Sequence, residues 1–351
     1  MKAVLGLEDG TYVVGEGFGA EGTCAGELVF STQMTGYMEA LTDASYAGQI
    51  LMFTFPQIGN YGVDEKNFQS PAVQTLGCVT QEICDKPATG QSLKRYYEEH
   101  GLFGIEGVDT RALTIITRQH GTLRAALIVG SGDHEHAIAL ARAVPPISNQ
   151  ALIPRVSCKE AYRVPGPGRK IAVIDLGIKR HMVISLNKRG ADLGIFPYNT
   201  TAEEIEAFEP DALLISNGPG DPMQARDAIK TVSYLIGTMP VFGICMGNQV
   251  TALALGAETH KLKFGHRGTN QPVRYLDGRI FITTQNHGFV VDQESLPEGC
   301  TCSYTNLNDG TLEGFESSDL EISCVQFHPE AHGGPRDTES HFFDMIMRRI
   351  A

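Results

Sequence analysis

A single cysteine, Cys245, stands where the sequence predicts a change from strand to helix, in the stretch PVFGICMGNQV (240–250). A thiol at such a turn is exposed at the top of a sheet, and the N-terminus of the following helix favours its thiolate form. Backbone amides at the same N-terminus can stabilise an oxyanion. Gly243 and Gly247 would relieve crowding around the turn. A nucleophile fits this pattern, and a buried packing cysteine fits it about as well.

A cysteine nucleophile needs a base, and the base needs a group that orients it. The segment CVQFHPE (324–330) places His328 after a predicted strand and Glu330 two residues later. Side chains two residues apart in an extended chain point the same way, and Pro329 favours that conformation at His328. Glu330 could therefore orient the imidazole while its other nitrogen faces Cys245. The alternative is a surface His/Glu pair.

The loop ISNGPGDP (215–222) follows another predicted strand. Gly218 and Gly220 would let backbone amides approach a ligand without a Cβ in the way. Taken alone, the loop is better explained as a plain strand-to-helix turn, with Asp221 as N-cap and Pro222 at the first helical position.

A fourth stretch, TTQNHGFVV (283–291), offers His287 as a second candidate base. His287 ranks below His328 because no carboxylate stands near it at a suitable spacing. The alternative for this stretch is the tip of a hairpin.

The elements that carry these loops follow a regular order in the second half of the chain. Apolar runs at 170–176, 211–216 and 240–244 alternate with helical stretches at 179–189, 201–208, 222–236 and 246–255. After them come two predicted strands, at 279–284 and 322–328, and a helix at 338–349. Continuous apolar runs fit strands buried on both faces, which predicts a doubly wound, mostly parallel sheet. Sites in such sheets lie beyond the carboxyl ends of the strands.

The first half of the chain has a different pattern. Strand-like runs at 2–7, 11–17, 27–32, 49–55 and 73–83 precede helix-like segments at 91–101, 109–121 and 133–144. This order predicts a mixed α/β domain. Prolines and glycines between VPPISNQ and RVPGPGRK then break the pattern. We therefore expect an N-terminal domain at 1–148, a linker at 149–169 and a second domain at 170–351.

Composition excludes several function classes. A formal net charge of −13 argues against a broad surface for nucleic acid or anionic membranes. No apolar run approaches the roughly 20 residues of a membrane helix, and the first residues do not resemble a targeting signal. The eight cysteines form no CxxC pair and no zinc-like spacing, so no metal site is expected. A cytoplasmic location is expected.

Taken as a set, NGPGDP, GICMGNQ and FHPE resemble the three signatures of class I glutamine amidotransferases, over about 168–351. The family's catalytic Cys-His-Glu triad falls on Cys245, His328 and Glu330. The stretch at 26–63, GIEGVDTRALT (104–114) and QNHGF resemble the small-subunit family of carbamoyl phosphate synthetases. The resemblance therefore covers nearly the whole chain.

The resemblance implies a division of labour between two subunits. The small subunit hydrolyses L-glutamine and delivers ammonia through a tunnel to a large subunit. That partner combines ammonia with bicarbonate, using ATP and Mg²⁺, to make carbamoyl phosphate for arginine and pyrimidine synthesis. The resemblance implies no cofactor in this chain, and no stretch here resembles a P-loop.

The resemblance also implies the substrate contacts. The family's glutamine-binding positions fall on Ser45, Gly218, Gly220, Met246, Gln249, Asn286, Gly288 and Phe289. The amides of Gly220 and Met246 would form the oxyanion hole. A substrate contact from Ser45 would place the site between the two domains.

Two residues depart from the family pattern. Met246 stands where leucine is common, and Asn248 where histidine is common. The swap at Met246 should be mild because its expected contribution is a backbone N–H. Asn248 lies outside the triad, so hydrolysis should survive, although coupling to the partner or the tuning of Cys245 could differ.

Two other functions stay open at this point. One is the glutaminase subunit of another amidotransferase, against which the block MTGYMEALTDASY (34–46) argues. The other is a non-catalytic regulatory subunit whose glutaminase has decayed, against which the intact triad argues.

Overall fold

The computed structural model describes all 351 residues. It divides into two compact units, Met1–Gln150 and Ala151–Ala351. No helix in either unit is long and apolar enough to cross a bilayer.

The first unit is built around a closed barrel. Its strands are β1 (Lys2–Leu7), β2 (Tyr12–Gly19), β3 (Gly22–Ser31), β4 (Gln49–Phe53), β5 (Gln57–Ile58), β6 (Gly77–Val79), β7 (Glu82–Ile83), β8 (Phe103–Glu106) and β9 (Leu123–Val129). Its helices are α1 (Tyr37–Leu41), α2 (Leu93–Glu99), α3 (Thr110–His120) and α4 (His134–Ala143). The barrel order is β1-β2-β8-β6-β4-β3-β9, and β9 closes it by pairing with both β1 and β3. The mixed α/β prediction is confirmed, although β9 lies outside the strands expected from the sequence.

The second unit carries the candidate site. Its strands are β10 (Tyr162–Val164), β11 (Lys170–Asp175), β12 (Asp192–Pro197), β13 (Ala212–Ile215), β14 (Val241–Ile244), β15 (Thr259–Tyr275), β16 (Ile280–Val291), β17 (Thr301–Asn306), β18 (Leu312–Ser317) and β19 (Ile322–Val325). Its helices are α5 (Ile153–Val156), α6 (Arg180–Asn187), α7 (Ala202–Glu206), α8 (Arg226–Leu235), α9 (Met246–Ala254) and α10 (Glu339–Arg349).

The ten strands of this unit form one sheet in the order β10-β12-β11-β13-β14-β19-β18-β17-β15-β16. The five strands β12, β11, β13, β14 and β19 pair in parallel, as expected for a doubly wound fold. The remaining pairs are antiparallel. Short turns join β15 to β16, β17 to β18 and β18 to β19, and a short turn permits only antiparallel pairing.

Both faces of the parallel part are covered, which explains its continuous apolar runs. In β11, Ala172 and Ile174 pack into one apolar cluster with α8 and α9. Their neighbours Ile171 and Val173 pack into a second cluster with α6 and α10. Successive side chains point to opposite faces of a strand, so a strand between two helical layers needs apolar residues at every position.

The segment at 149–169 has more structure than a linker. It contains α5 and β10, and β10 pairs antiparallel with β12 as the edge strand of the sheet. The Pro/Gly run that follows therefore ends an edge strand. The two compact units meet in sequence at Gln150 and Ala151.

Candidate active site

Cys245 occupies a sharp turn between β14 and α9. Its backbone has φ 56° and ψ −103°, a conformation that is strained for a residue with a side chain. Cys245 N donates a hydrogen bond of 2.8 Å to Val325 O at the end of the neighbouring strand β19. The thiol is 2% exposed, and its Sγ lies 3.6 Å from Asn286 O on β16.

The glycines around Cys245 are required by close approach of the backbone. A Cβ at Gly247 would lie 2.0 Å from Ile215 O, and a Cβ at Gly243 would lie 2.6 Å from the backbone of Gly247. The first turn of α9 therefore packs directly on the ends of β13 and β14. Because this packing fixes the turn, it can hold Cys245 in its strained conformation.

His328 and Glu330 follow β19 as predicted from their spacing. His328 Nδ1 lies 2.8 Å from Glu330 Oε1, and both side chains are fully buried. His328 N donates 2.8 Å to Thr284 O of β16, which fixes the backbone that carries the ring. No other group bonds to the buried His328 Nε2, and Cys245 raises the pKa of the ring both through its charge and as a hydrogen-bond partner. The surface His/Glu alternative is therefore wrong.

Lys179 is a member of the site that the sequence did not reveal. It lies at the N-terminus of α6, just after β11, and its Nζ is 3.0 Å from Glu330 Oε1. Its side chain is only 5% exposed. The sequence feature that could have revealed Lys179 is its position just after β11, since sites in this fold lie at the carboxyl ends of the parallel strands.

Neighbouring positive charges counteract the effect of burial on the pKa of Glu330. Burial raises the pKa of Glu330, but Lys179 and His328 lower it well below its usual range. Burial and Lys179 lower the pKa of His328, whereas Glu330 and Cys245 raise it, and the balance is a pKa of about 9. The ring is therefore an imidazolium at neutral pH, with the Glu330 carboxylate on one side and Cys245 on the other.

The strand β16 and the first turn of α9 bring together four of the predicted glutamine contacts. Gln249 Nε2 donates 2.7 Å to Phe289 O, and Asn286 O faces Cys245. Gly288 lies between these two positions on β16, where a Cβ would come 3.1 Å from Arg267 Nη2.

His287 lies in the interior of β16, so it is not at a hairpin tip. Its Nδ1 is 2.8 Å from Phe289 O, which can only accept, so this nitrogen carries the proton. Its Nε2 lies 3.1 Å from Gln285 Oε1. Burial lowers the pKa of His287 well below its usual value. The ring therefore helps to hold the strand through Phe289.

The loop after β13 forms a tight turn beside β11. A Cβ at Gly218 would lie 2.5 Å from Leu176 O, and Gly220 has φ 85°. Asp221 accepts a hydrogen bond of 2.9 Å from Met223 N, with Pro222 at the first position of a 3₁₀ turn. The predicted cap is present, although α8 itself begins later, at Arg226.

Three further predicted or atypical positions lie at the N-termini of helical segments. Met246 and Asn248 occupy the first turn of α9, and both are buried. Ser45 belongs to the first unit, in a 3₁₀ turn at Ala44–Tyr46, and its N–H donates 2.9 Å to Asp43 Oδ1.

One buried cluster has the composition of a metal site. Ligand atoms of His266, His287 and Glu313 lie within 4.8 Å of one another. However, His266 Nε2 is 2.8 Å from Asp309 and its Nδ1 is 3.3 Å from Glu313. Burial lowers the pKa of His266, but the two carboxylates raise it above its usual value. Both ring nitrogens therefore already face carboxylate oxygens, an arrangement that favours the protonated ring over one that offers a metal a lone pair.

Comparison with known families covers both units. Residues 172–347 match the family described as glutamine amidotransferase class-I, and residues 5–127 match the carbamoyl-phosphate synthase small chain, CPSase domain.

Relatives with the name carbamoyl phosphate synthase small chain match over almost their full length. The protein from Methanosarcina mazei is 54% identical, and the match covers 99% of this chain and 98% of that protein. The protein from Archaeoglobus fulgidus is 48% identical, with 98% and 97% covered, and that from Bacillus cereus is 45% identical, with 99% and 95% covered. Together with the matches of both units, this similarity shows that the chain belongs to the family of carbamoyl phosphate synthase small chains, glutamine-hydrolysing enzyme subunits with a class I glutamine amidotransferase domain.

Proposed function

We propose that this subunit hydrolyses L-glutamine through a thioester on Cys245 and that the ammonia passes to a large partner subunit for carbamoyl phosphate synthesis. One observation carries the proposal: a cysteine on a strained strand-to-helix turn, at the end of a strand next to β19, interacts with a buried histidine, which is itself paired with Glu330. This is the arrangement of nucleophile, acid/base and orienting group that acyl transfer needs.

The first half-reaction uses the imidazolium as an acid. The Cys245 thiolate attacks the carboxamide carbon of glutamine, and backbone amides of Gly220 and Met246 are proposed to stabilise the oxyanion. His328 Nε2 then gives its proton to the departing nitrogen, the C–N bond breaks, and ammonia leaves. The products are ammonia, a glutamyl thioester and a neutral imidazole.

Acylation itself changes the basicity of His328. After Glu330, Cys245 is the second group that raises the pKa of this ring, through its charge and through a hydrogen bond. That charge disappears when the sulfur becomes part of a thioester, while burial and Lys179 continue to lower the pKa. His328 therefore releases its Nε2 proton more easily at the stage when the departing nitrogen must be protonated.

The second half-reaction uses the same ring as a base. Neutral His328 takes a proton from water, the oxygen attacks the thioester carbon, and the C–S bond breaks to release glutamate. The thiolate and imidazolium are restored. Glu330 keeps Nδ1 protonated throughout, so that Nε2 is the nitrogen that exchanges the proton.

The substrate contacts are part of the same proposal. Ser45, Gly218, Gly220, Met246, Gln249, Asn286, Gly288 and Phe289 are proposed to bind glutamine. The positions of Asn286 and Gln249 close to Cys245 support this set. Ser45 rests on the resemblance of its sequence block alone.

A large partner subunit is implied by the small-chain name of the relatives. We propose that ATP, Mg²⁺ and bicarbonate are used by that partner and that this chain needs no cofactor of its own. A non-catalytic regulatory role is disfavoured because all three members of the triad are present, with His328 paired to Glu330 and interacting with Cys245.

Replacement of the nucleophile tests the proposal. Cys245→Ser, co-expressed with the candidate large subunit, should lose glutamine-dependent carbamoyl phosphate formation while the complex still uses free ammonia. The ammonia-dependent rate is the internal control for assembly. Normal glutamine-dependent turnover in this variant would contradict the mechanism.

A further inference from the structure

Three amide side chains form a buried cluster next to the nucleophile. Asn248 and Gln249 lie in the first turn of α9, and Gln326 lies between β19 and His328; all three are at most 2% exposed. Gln326 Oε1 is 3.1 Å from Asn248 Nδ2 and 3.1 Å from Gln249 Nε2. We call these three residues the amide cluster. Gln326 is its centre because a single oxygen accepts both hydrogen bonds.

The orientation of each amide follows from one backbone carbonyl. Phe289 O can only accept, so the Gln249 atom 2.7 Å away must be its nitrogen. The Gln326 atom that faces this nitrogen must then be an oxygen. The Asn248 atom that faces the same oxygen must again be a nitrogen. The hydrogen-bond network therefore allows only one orientation for each of the three amides, although the amide nitrogen and oxygen have nearly the same size and shape.

This arrangement determines what Gln249 presents to a ligand. Both of its hydrogen bonds use Nε2, no protein group donates to its Oε1, and Oε1 is not among the fully buried unpartnered atoms. By contrast, Asn248 Oδ1 and Gln326 Nε2 are buried without partners. Burying an unpaired polar atom is costly, and function is one reason for retaining such atoms.

We propose that Gln326 is a positioning residue that, together with Phe289 O, holds the carbonyl of Gln249 toward the α-ammonium group of glutamine. A carbonyl oxygen attracts an ammonium group, whereas the amide nitrogen of a reversed Gln249 would repel it. Phe289 O accepts from one N–H of that amide and Gln326 Oε1 accepts from the other, so Gln326 restrains the rotation of the amide that a single hydrogen bond to Phe289 O would still permit. The inference rests on the proposed glutaminase function, and it assigns the selection of the amino group to a residue that does not touch substrate.

Two substitutions separate the acceptor from the bulk of Gln326. Gln326→Met keeps approximate volume and removes the acceptor, while Gln326→Glu, protonated in this buried site, keeps a carbonyl oxygen in the same place. The substrates are L-glutamine and glutaramate, which is glutamine without its α-amino group. Glutamate or glutarate release is measured with the full chain assembled with its large subunit.

We expect Gln326→Met to lower kcat/KM for glutamine about tenfold, mainly through KM, and to change kcat/KM for glutaramate less than about twofold. Gln326→Glu should stay within about threefold of wild type for both substrates. Ser323→Ala, another buried polar-to-apolar change next to the same segment, is the structural control and should leave both values unchanged. If Gln326→Met does not fold, Gln326→Asn, which withdraws the carbonyl by one methylene, should give the same selective loss.

Equal losses for the two substrates, or no loss for glutamine, would overturn the inference. Either outcome would leave glutaminase activity in the wild type, so the proposed function would stand. If wild-type protein released no glutamate at all, the proposed function would fall first.

Discussion

The replacement Glu330→Gln tests the negative charge of the triad separately from its hydrogen-bond geometry. Both short contacts of Glu330, to His328 at 2.8 Å and to Lys179 at 3.0 Å, use Oε1, and Oε2 has no partner. An amide oxygen can replace Oε1 and accept from the same two groups, with the amide nitrogen at the vacant position. The variant therefore loses the negative charge and keeps the hydrogen bonds.

The expected effect is a lower pKa for His328. Glu330 is the first of the two groups that raise this pKa to about 9, against burial and Lys179, which lower it. Without the carboxylate, Cys245 alone opposes burial and Lys179, which are the two largest contributions, so the pKa should fall to the ordinary 6.5 or below. The change is at least about 2.5 pH units, or about 3 kcal/mol. At pH 8 the protonated fraction of the ring falls from about nine-tenths to about 3% or less, roughly a thirtyfold loss of the acid.

The assay is kcat/KM for glutamate release between pH 6 and pH 10. The alkaline limb should move from about pH 9 to below about pH 6.5 in Glu330→Gln. The matched control is Glu313→Gln, which removes the charge of another fully buried glutamate paired with a histidine, His266. It should leave the alkaline limb in place. An unmoved limb in Glu330→Gln would refute the argument that this carboxylate holds the proton on His328.

Stability gives a second measurement on the same variant. A raised pKa for His328 contributes free energy of unfolding that is complete below about pH 6.5 and is lost as pH rises through about 9. A lowered pKa for Glu330 contributes above about pH 4.5 and is lost as pH falls. The stability difference between wild type and Glu330→Gln should therefore be largest between those limits and shrink by about 3 kcal/mol toward pH 9.

Two further predictions concern the first turn of α9. Asn248→His should change the glutaminase rate less than about tenfold, or ~1.4 kcal/mol, because a histidine can still donate to Gln326 and Gln249 keeps its own contacts; loss of several orders of magnitude in steady-state assays would show an unrecognised role. Gly247→Ala should destabilise the protein by at least about 2 kcal/mol in urea unfolding, because its Cβ would lie 2.0 Å from Ile215 O. Wild-type stability in that variant would mean that the turn can shift freely.

The parallel sheet could be predicted because its strands obey a simple rule. Residues of β11 alternate between two apolar clusters, so the run at 170–176 is apolar throughout. The long hairpin β15–β16 follows no such rule. Its strands contain many polar residues, and its register shifts between Lys261 and His266 and again between Gly268 and Gln271. Period-two alternation is lost at each shift, so only part of β16 was expected from the sequence.

Residues of the site also divide into those that a local sequence pattern reveals and those that depend on contacts distant in sequence. Cys245, His328 and Glu330 could be found because each lies in a loop directly after a predicted strand. Lys179 could not, because a lysine at the start of a helix usually faces solvent, and its partner Glu330 is far away in sequence. Gln326 was also missed, since the acceptor role of its amide depends on where α9 packs.

The backbone hydrogen bond from Cys245 N to Val325 O has a consequence for how this site can be altered. The strands that deliver the thiol and the imidazole are direct neighbours in the ladder, and neighbouring strands lie about 4.8 Å apart in any sheet. Main-chain hydrogen bonds set this spacing, so it does not depend on which side chains stand at the ends of the strands. Side chains at 245 and 328 can be exchanged while the main-chain bonds from Cys245 N to Val325 O and from His328 N to Thr284 O remain. A variant without the nucleophile should therefore keep the site's backbone geometry and trap bound glutamine, and the scaffold should accept other nucleophile and base pairs.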